Sequence, residues 1–175
     1  MSINHWIVKN LVCTLFLVVG GLNIYAQKDK YLIEAEAFQF KGKWSTDRSA
    51  DCMGSAMLRL NGGGSLDEQF DALTVVNIME EGDYNVWVRS ADYDKLPGTR
   101  LFRLSVDEKP MKESGKHGKV GFYWENAGCV QLAKKQVLLR LHDTKRNFGR
   151  CDAILLVKDH SINPNEMDRK EVGKW

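Results

Sequence analysis

Three carboxylates near the two ends of the chain are placed where a cation could bind. Glu34 and Glu36 lie in the segment Y-L-I-E-A-E-A-F, whose alternation predicts a strand, and residues two apart on a strand point to one face. Asp152 lies in F-G-R-C-D-A-I-L-L-V, where the last strand is expected to begin. If the first and last strands of a sandwich lie side by side, the three carboxylates meet. Ca²⁺ takes about six to eight oxygen ligands, so these residues predict a buried calcium site.

Other interpretations of these residues stay open, and catalysis is disfavoured. Both glutamates could face solvent or pair with Arg150. Carboxylates that hydrolyse a glycosidic bond stand about 5–9.5 Å apart across a cleft, and the edge of a sandwich offers no cleft. No helix N-terminus is expected near Cys151 to lower the pKa of its thiol, and His142 and Asp143 are strand neighbours whose side chains diverge. We therefore expect that the protein is not an enzyme.

The N-terminal segment has the pattern of a secretory signal peptide. Lys9 precedes an uncharged stretch whose apolar centre, Leu11 to Leu22, is shorter than the roughly 18–20 apolar residues of a membrane span. Ala26 suits the position before a cleavage site. We expect residues 1–26 to be removed, leaving a secreted or periplasmic protein with no stable membrane span; an uncleaved anchor is the alternative.

The mature chain, residues 27–175, is long enough for one domain with a substantial core. Lys9 is the one Lys or Arg residue of the leader, so the mature chain has 24 of the 25 Lys and Arg residues and all 23 Asp and Glu residues. This balance excludes a nucleic-acid binder that depends on basic charge. The three cysteines of the mature chain, Cys52, Cys129 and Cys151, match no zinc motif and allow at most one internal disulfide. Three buried thiols, a Cys52–Cys129 bridge and a Cys129–Cys151 bridge all remain open.

Nine short segments have the composition and turn spacing of β-strands. They are Tyr31–Phe38, Ala56–Leu60, Ala72–Ile78, Tyr84–Arg89, Leu101–Val106, Val120–Trp124, Cys129–Leu132, Val137–Leu141 and Ala153–Val157. No segment has a helical period over three turns. This pattern predicts an all-β fold, an antiparallel β-sandwich or jelly roll, over residues 27–159. Residues 160–175 are polar and contain Asn163-Pro164-Asn165, so they are predicted to be a tail or linker.

An ordered set of short motifs resembles a known type of domain. The set is I-E-A-E-A-F, K-G-K-W, M-G-S, D-Y-N-V-W-V-R-S-A-D, F-Y-W-E-N-A-G and L-H-D-T-K-R-N-F-G-R-C-D-A-I-L-L. It is similar to the N-terminal β-sandwich found ahead of FAD-dependent oxidoreductases and some polysaccharide-degrading enzymes of Bacteroidetes. That sandwich resembles carbohydrate-binding modules of families six and thirty-five, which have a galactose-binding-like jelly roll. The resemblance implies a structural Ca²⁺ held by Glu34, Glu36 and Asp152. No G-x-G-x-x-G is present, so flavin chemistry is not implied.

Aromatic residues in or near loops are the candidates for stacking on a sugar ring, because sugars present flat C–H faces. The candidates are Trp44, Tyr93, Trp124 and Phe148. Trp44 and Trp124 could equally be core residues, and Trp87 is expected to pack on a sheet face.

Two arginines could orient an acidic sugar, because a guanidinium can bind a carboxylate through two hydrogen bonds. Arg89 and Arg150 lie at strand ends. If exposed, they favour a ligand such as a uronic acid. If internal, they pair with Asp92, Asp143 or Asp152, which is the interpretation we favour slightly.

The sequence therefore predicts a secreted, non-catalytic carbohydrate-binding β-sandwich with a structural calcium ion. The alternative is a structural or protein-docking domain, either with a partner in the cell envelope or as the accessory domain of a larger oxidoreductase or polysaccharide-degrading enzyme. Exposed rings beside a groove favour a sugar ligand, and buried rings with a flat polar rim favour docking. The sequence does not distinguish which glycan binds, which sheet face binds it or the oligomeric state.

Overall fold

A computed structural model describes residues 29–61, 68–144 and 148–175. Its strands, in chain order, are β1 Lys30–Glu34, β2 Trp44–Arg48, β3 Ala56–Leu60, β4 Ala72–Asn77, β5 Gly82–Asp92, β6 Phe102–Val106, β7 Lys109–Ser114, β8 Gly121–Leu132, β9 Gln136–Asp143 and β10 Arg150–Val157. Short 3-10 turns lie at Ala35–Ala37, Glu68–Phe70 and Pro164–Glu166, and a four-residue helix, α1, spans Arg169–Val172. The predicted leader, residues 1–26, lies outside the described residues.

The strands form two antiparallel sheets. The larger sheet has the order β2-β3-β10-β5-β8, with β1 also paired to β10, and the smaller sheet has the order β4-β9-β6-β7. Alternation along each strand decides the packing, because successive side chains point to opposite faces. In β9, for example, Val137, Leu139, Leu141 and Asp143 are buried while the residues between them are not. The all-β sandwich, a jelly-roll fold, is confirmed.

The core fills the space between the sheets. Fully buried side chains of the larger sheet, such as Tyr84 and Leu58, belong to one core cluster with Phe102, Leu104 and Leu139 of the smaller sheet. Burying each such side chain contributes about 1.5–3 kcal/mol. This core fixes the strands whose ends carry the candidate site.

The first and last strands lie side by side, which is the condition on which the predicted meeting of the three carboxylates depends. β1 pairs with β10 from Lys30↔Val157 to Glu34↔Ala153. The predicted strand Tyr31–Phe38 is too long, however. β1 ends at Glu34, and Glu36 lies in the 3-10 turn that follows, so the two glutamates do not share a strand face.

The structure has two strands that were not predicted, and it joins two predicted segments into one strand. β2 and β7 were not predicted, because W-S-T-D-R and K-P-M-K-E-S are polar edge strands without a clear apolar alternation. Val120–Trp124 and Cys129–Leu132 are parts of the single strand β8. The N-A-G segment between them is a bulge, where the register with β5 shifts and Gly128 takes a φ of +118°.

The C-terminal segment is not the polar tail or linker that its composition predicted. Residues 159–175 pack on the outer face of the larger sheet, where Val172 is fully buried among Trp124, Leu155 and Val157. The outer face of this sheet is apolar and needs a cover, and the few apolar residues of the segment supply it. The described domain therefore extends to Trp175.

The three cysteines among the described residues are free thiols, with Cys52 and Cys151 buried and Cys129 exposed. Neither of the two possible disulfides forms. In the described part of the chain, no helix is long and apolar enough to cross a membrane.

Candidate functional site

Two glutamates face the same glycine in the connection between β2 and β3. A Cβ atom added to Gly54 would lie 2.4 Å from Glu36 Oε1 and 2.5 Å from Glu34 Oε2, which is closer than real Cβ atoms approach. The absence of a side chain at Gly54 therefore leaves room for two carboxylates, one from the end of β1 and one from the turn after it.

Glu36 is held by backbone donors on one of its oxygens only. Oε1 accepts hydrogen bonds from the N–H groups of Ser55 (2.9 Å) and Ala56 (3.1 Å). Oε2 is buried and has no hydrogen-bond partner. A buried carboxylate oxygen without a partner is unfavourable by itself and is a position at which a cation would be favourable.

Asp152 is fully buried and is bound to protein groups. It forms an ion pair with Arg89, and the N–H of Met53 donates to both of its oxygens at 3.0 and 3.2 Å. Burial raises the pKa of the Asp152 carboxyl, and Arg89 and Met53 act in the opposite direction. Arg89 also donates to the carbonyl of Asp51 at 2.9 Å. Arg89 is thus an internal partner of Asp152, as in the second of the two interpretations given above for this arginine.

Glu34, Glu36 and Asp152, which we call the carboxylate cluster, influence one another. The pKa of Glu34 is raised first by burial and then by the negative charges of Glu36 and Asp152. Within the described ranges, no three Asp, Glu, His or Cys side chains are arranged as a metal-ligand set. The donors themselves suit a hard cation, since all are carboxylate oxygens and one is unpaired. By this chemistry Glu34 and Glu36 fit Ca²⁺, whereas Asp152 directs its oxygens at Arg89 and Met53.

Two of the four candidate aromatic residues lie in the interior. Trp44 is 4% exposed and contacts Phe102 edge-on, with ring centroids 5.6 Å apart. Trp124 is 7% exposed, and the side chain of Asn165 bonds its backbone N–H (3.0 Å) and its carbonyl (2.8 Å). The alternative that these two are core residues is the one the structure shows. Trp87 packs on the outer sheet face, as expected.

The other two aromatic residues are exposed at one end of the sandwich. Tyr93, directly after β5, is 36% exposed, and Phe148, two residues before β10, is 49% exposed. β5 and β10 are antiparallel neighbours with Cys151 opposite Ser90, so the end of β5 and the start of β10 lie together. We call this end, with residues 93–101, 115–120 and 148–150, the rim.

Three arginines converge at the rim, and we call them the arginine cluster: Arg59, Arg100 and Arg150. Arg150 lies directly opposite Arg59 on neighbouring antiparallel strands. The guanidinium of Arg100 lies over the ring of Tyr93 at 5.4 Å and donates to the carbonyl of Asp92 at 3.0 Å. Burial, then Arg100 and Arg59, lower the pKa of Arg150.

One carboxylate accompanies the arginine cluster among the described residues. Asp47 pairs with Arg59 at 3.0 Å, and Asn61 accepts from the same guanidinium at 3.2 Å. Arg150 makes no hydrogen bond or ion pair with any residue in the described ranges, so it is not paired with Glu34, Glu36, Asp92 or Asp143. Sequence analysis missed Asp47, Arg59 and Arg100. Arg59 sits inside a strand and Arg100 in a loop, and no motif marks either; the register of β3 and β10 brings them together.

The C-terminal segment encloses a cavity of about 160 Å³ on the outer face of the larger sheet. Arg89, Phe122 and Arg169 are among its lining residues. Both arginines are engaged, because Arg169 donates to the carbonyls of Ala50 (2.9 Å) and Cys52 (3.1 Å). The cavity therefore shows no free charged group, and the rim remains the best candidate site.

Comparisons with known proteins identify the fold. No family model matches the sequence, and no curated protein matches it. Solved structures do match. A family 35 carbohydrate-binding module from Clostridium thermocellum aligns at 18% identity and a TM-score of 0.57, covering 72% of this chain and 97% of that one. The C-terminal family 6 module of the marine laminarinase LamC from Zobellia galactanivorans aligns at 15% identity and a TM-score of 0.57, covering 74% of this chain and all of that one.

A larger protein also contains this fold. The Podospora anserina GH26-CBM35 β-(1,4)-mannanase aligns at 17% identity and a TM-score of 0.60 over 79% of this chain. This chain spans 31% of the length of the mannanase chain. Together with the two isolated modules, the match shows that the chain has the β-sandwich fold of carbohydrate-binding modules of families 35 and 6.

Proposed function

We propose that the protein is a non-catalytic carbohydrate-binding module whose sugar site is the rim. The observation that carries the proposal is the exposure of Tyr93 and Phe148 at the end of the sandwich where Arg100 and Arg150 also lie. Rings stack on the C–H faces of a sugar and nearby polar groups bind its hydroxyls. The fold shared with carbohydrate-binding modules supports this assignment.

The geometry gives little support to a catalytic role. Cys151 is fully buried and its thiol pKa is raised well above the usual value, so it is a poor nucleophile. The Nδ1 atom of His142 contacts Asp71 at 2.9 Å. Asp152 is buried in its pair with Arg89. None of these groups faces a cleft in which a substrate could react.

We further propose that Ca²⁺ binds at the carboxylate cluster, with Glu34 and Glu36 as its protein ligands. The unpaired Oε2 of Glu36 and the raised pKa of Glu34 support this role. The ion would neutralise the two carboxylates and join the end of β1 to the β2–β3 connection, and so serve stability. We also propose that the leader directs secretion or periplasmic export of the protein.

Protein docking is the second candidate, and one observation favours it. Two of the four candidate rings are buried, and the rim also exposes the aliphatic side chains Leu96 and Val120. Such a surface could bind a protein of the cell envelope, or the remainder of a larger enzyme.

A glycan array probed with residues 27–175 tests the proposal, in calcium and in chelator. We expect saturable binding to one class of glycan, lost in Tyr93→Ala and Phe148→Ala. Met79→Ala is the matched control, since Met79 is equally exposed but precedes β5 at the opposite end of the sandwich. A folded protein that binds no glycan would favour docking instead.

A further inference from the structure

The imidazole of His117, in the rim loop of residues 115–120, is bonded through both of its nitrogens. Nε2 lies 3.1 Å from the carbonyl oxygen of Ser90, and the backbone N–H of Lys119 donates to Nδ1 at 3.2 Å. A carbonyl only accepts a hydrogen bond and an N–H only donates one, so Nε2 must carry the proton and Nδ1 must be the acceptor. The loop is therefore built around one form of the ring, the neutral tautomer with its proton on Nε2.

No carboxylate contacts this ring among the described residues. The charged and titratable groups on the elements that pack against it are Asp92 of β5, Asp94, Lys95 and Arg100 of the loop after β5, Tyr123 and Glu125 of β8, and Lys116 and Lys119 of its own loop. Tyr123 places its ring centroid 5.2 Å from that of the imidazole. Asp92 accepts from the N–H of Gly118 at 2.7 Å, and Glu125 accepts from the N–H of Lys116 at 3.2 Å. Both carboxylates therefore have other partners.

Protonation of His117 is incompatible with this arrangement. A charged imidazole donates from both nitrogens, so Nδ1–H would point at the N–H of Lys119 and neither group could accept. The bond between Nδ1 and Lys119 must then break. Histidine is the side chain that changes its charge between roughly pH 5 and pH 8, so this loss falls within a physiological range.

Little else holds the backbone that Lys119 shares with Val120. Val120 is 69% exposed. Gly118 and Gly121, which flank the two residues, have φ angles of +70° and +91°, and a Cβ atom added to Gly121 would meet nothing within 4 Å. Segments with few packing contacts open at a small free-energy cost. Loss of the Lys119 bond should therefore be enough to release residues 118–120.

A change in residues 118–120 reaches the candidate sugar site through Asp92. Val120 forms an isolated bridge with Asp92, which directly precedes Tyr93. The buried carboxylate of Asp92 also joins the two rim loops, because it accepts from the N–H groups of Gly98 and Gly118. The position of the exposed Tyr93 ring thus depends on the loop that His117 holds closed.

We propose that His117 is a pH-sensitive switch at the rim: protonation of its imidazole releases residues 118–120 and weakens binding of the ligand. The effect on binding rests on the proposed function, since it concerns the regulation of that same site. The change in the loop does not, since it follows from the hydrogen bonds of the ring alone. The two parts can therefore be tested separately.

NMR of the mature chain, residues 27–175, at about pH 8 and about pH 5 tests the switch without a ligand. At pH 8 the imidazole nitrogens of His117 should show the Nε2–H tautomer. On acidification the heteronuclear NOE of Lys119 and Val120 should fall in step with protonation of the ring, while that of Leu104 in the core stays constant. The other tautomer at pH 8, a ring still neutral at pH 5, or a loop that stays rigid around a protonated ring would overturn the proposal.

Two histidine variants separate this switch from other titrating groups. His117→Asn has an oxygen that can accept from the N–H two residues later, as asparagine does in turns, and it cannot be protonated. His160→Asn is the matched control, because His160 is exposed and follows β10 at the end opposite the rim. Calorimetry with a glycan that the array identifies should show wild type and His160→Asn binding about threefold to tenfold more weakly at pH 5 than at pH 8. His117→Asn should bind equally at both.

The outcomes of calorimetry distinguish the switch from the proposed function. Equal binding by the wild-type protein at both pH values would overturn the switch and leave carbohydrate binding standing. A pH dependence that persists in His117→Asn would assign it to another group and overturn the switch as well. A folded protein that binds no glycan would overturn the proposed function and the effect on binding, and the NMR data would still decide the change in the loop.

Discussion

Asp152 of the carboxylate cluster and Arg150 of the arginine cluster lie two residues apart on β10, yet the charges of the two clusters have different partners. At the first, Asp152 is paired with Arg89 and Glu36 accepts two backbone N–H groups. At the second, Asp47 offsets one of three guanidinium groups. The first cluster is built into the interior of the loops and the second opens to solvent at the rim. The pair of Asp152 and Arg89 serves stability, whereas the guanidinium groups of Arg100 and Arg150 have no carboxylate partner among the described residues and are available to a ligand.

The largest expected effect comes from removing the internal pair. Asp152→Ala leaves Arg89 buried without its carboxylate, so the free energy of unfolding should fall by about 3–5 kcal/mol. Urea denaturation measures this change, with Asp47→Ala as the control from the open cluster. Equal losses in the two variants would show that the clusters do not differ in the way described.

Calcium should act on the carboxylate cluster alone. A ligand that binds only the folded state adds about 2.7 kcal/mol at a concentration 100 times its Kd. Glu36→Gln keeps an oxygen for the Ser55 and Ala56 N–H groups but loses the charge, so it should abolish this gain. Melting curves with calcium and with chelator measure it; identical curves for the wild-type protein would contradict the proposed calcium site.

The pH dependence of stability, measured in chelator, tests the repulsion of Glu34 by its neighbouring carboxylates. The pKa of Glu34 is raised from 4.5 in the folded protein, so its contribution to stability is present below pH 4.5 and is lost as pH rises through the folded pKa. Glu34→Gln, which cannot ionise, should therefore be more stable than wild type at pH 7 and equal to it near pH 4. Denaturant titrations at both pH values measure this. A Glu34→Gln variant that is less stable at pH 7 in chelator would contradict the assigned repulsion.

The smallest expected effect is at the open cluster. Asp47→Asn removes the partner of Arg59 from a pair whose side chains are each 34% exposed, so the loss of stability should stay below about 1 kcal/mol. Urea denaturation measures this change; a loss as large as that of Asp152→Ala would contradict the assignment of Asp47 to an open, solvent-screened pair.

Periodicity carried the sequence prediction of the fold. Alternating strands such as β6 and β9 were recognisable because one of their faces is buried in the core. The polar edge strands β2 and β7 lack that signal, and the bulge at Ala127-Gly128 interrupts the alternation of β8, which was therefore predicted as two segments. The C-terminal segment was misassigned because Val172, Met167 and Trp175 find their contacts only after the sheet has formed.

The candidate site was less accessible to sequence reasoning. The sequence identified the aromatic residues near strand ends, but their burial depends on the tertiary fold. Trp44 and Trp124 prove to lie in the interior. Arg89 and Arg150 looked alike in the sequence. The register of β10 gives Arg89 a buried partner in Asp152 and places Arg150 opposite Arg59. Such pairings between distant strands have no local signature.

Chemical-shift mapping by NMR tests the central claim, that the rim binds a sugar, most directly. Amide shifts of residues 27–175 would be followed while a glycan that the array identifies is added. The account predicts saturable shifts at Tyr93 to Arg100 and at Phe148 to Arg150, with none at Met79. Saturable shifts that avoid the rim, or no shifts with any glycan that the array identifies, would contradict it.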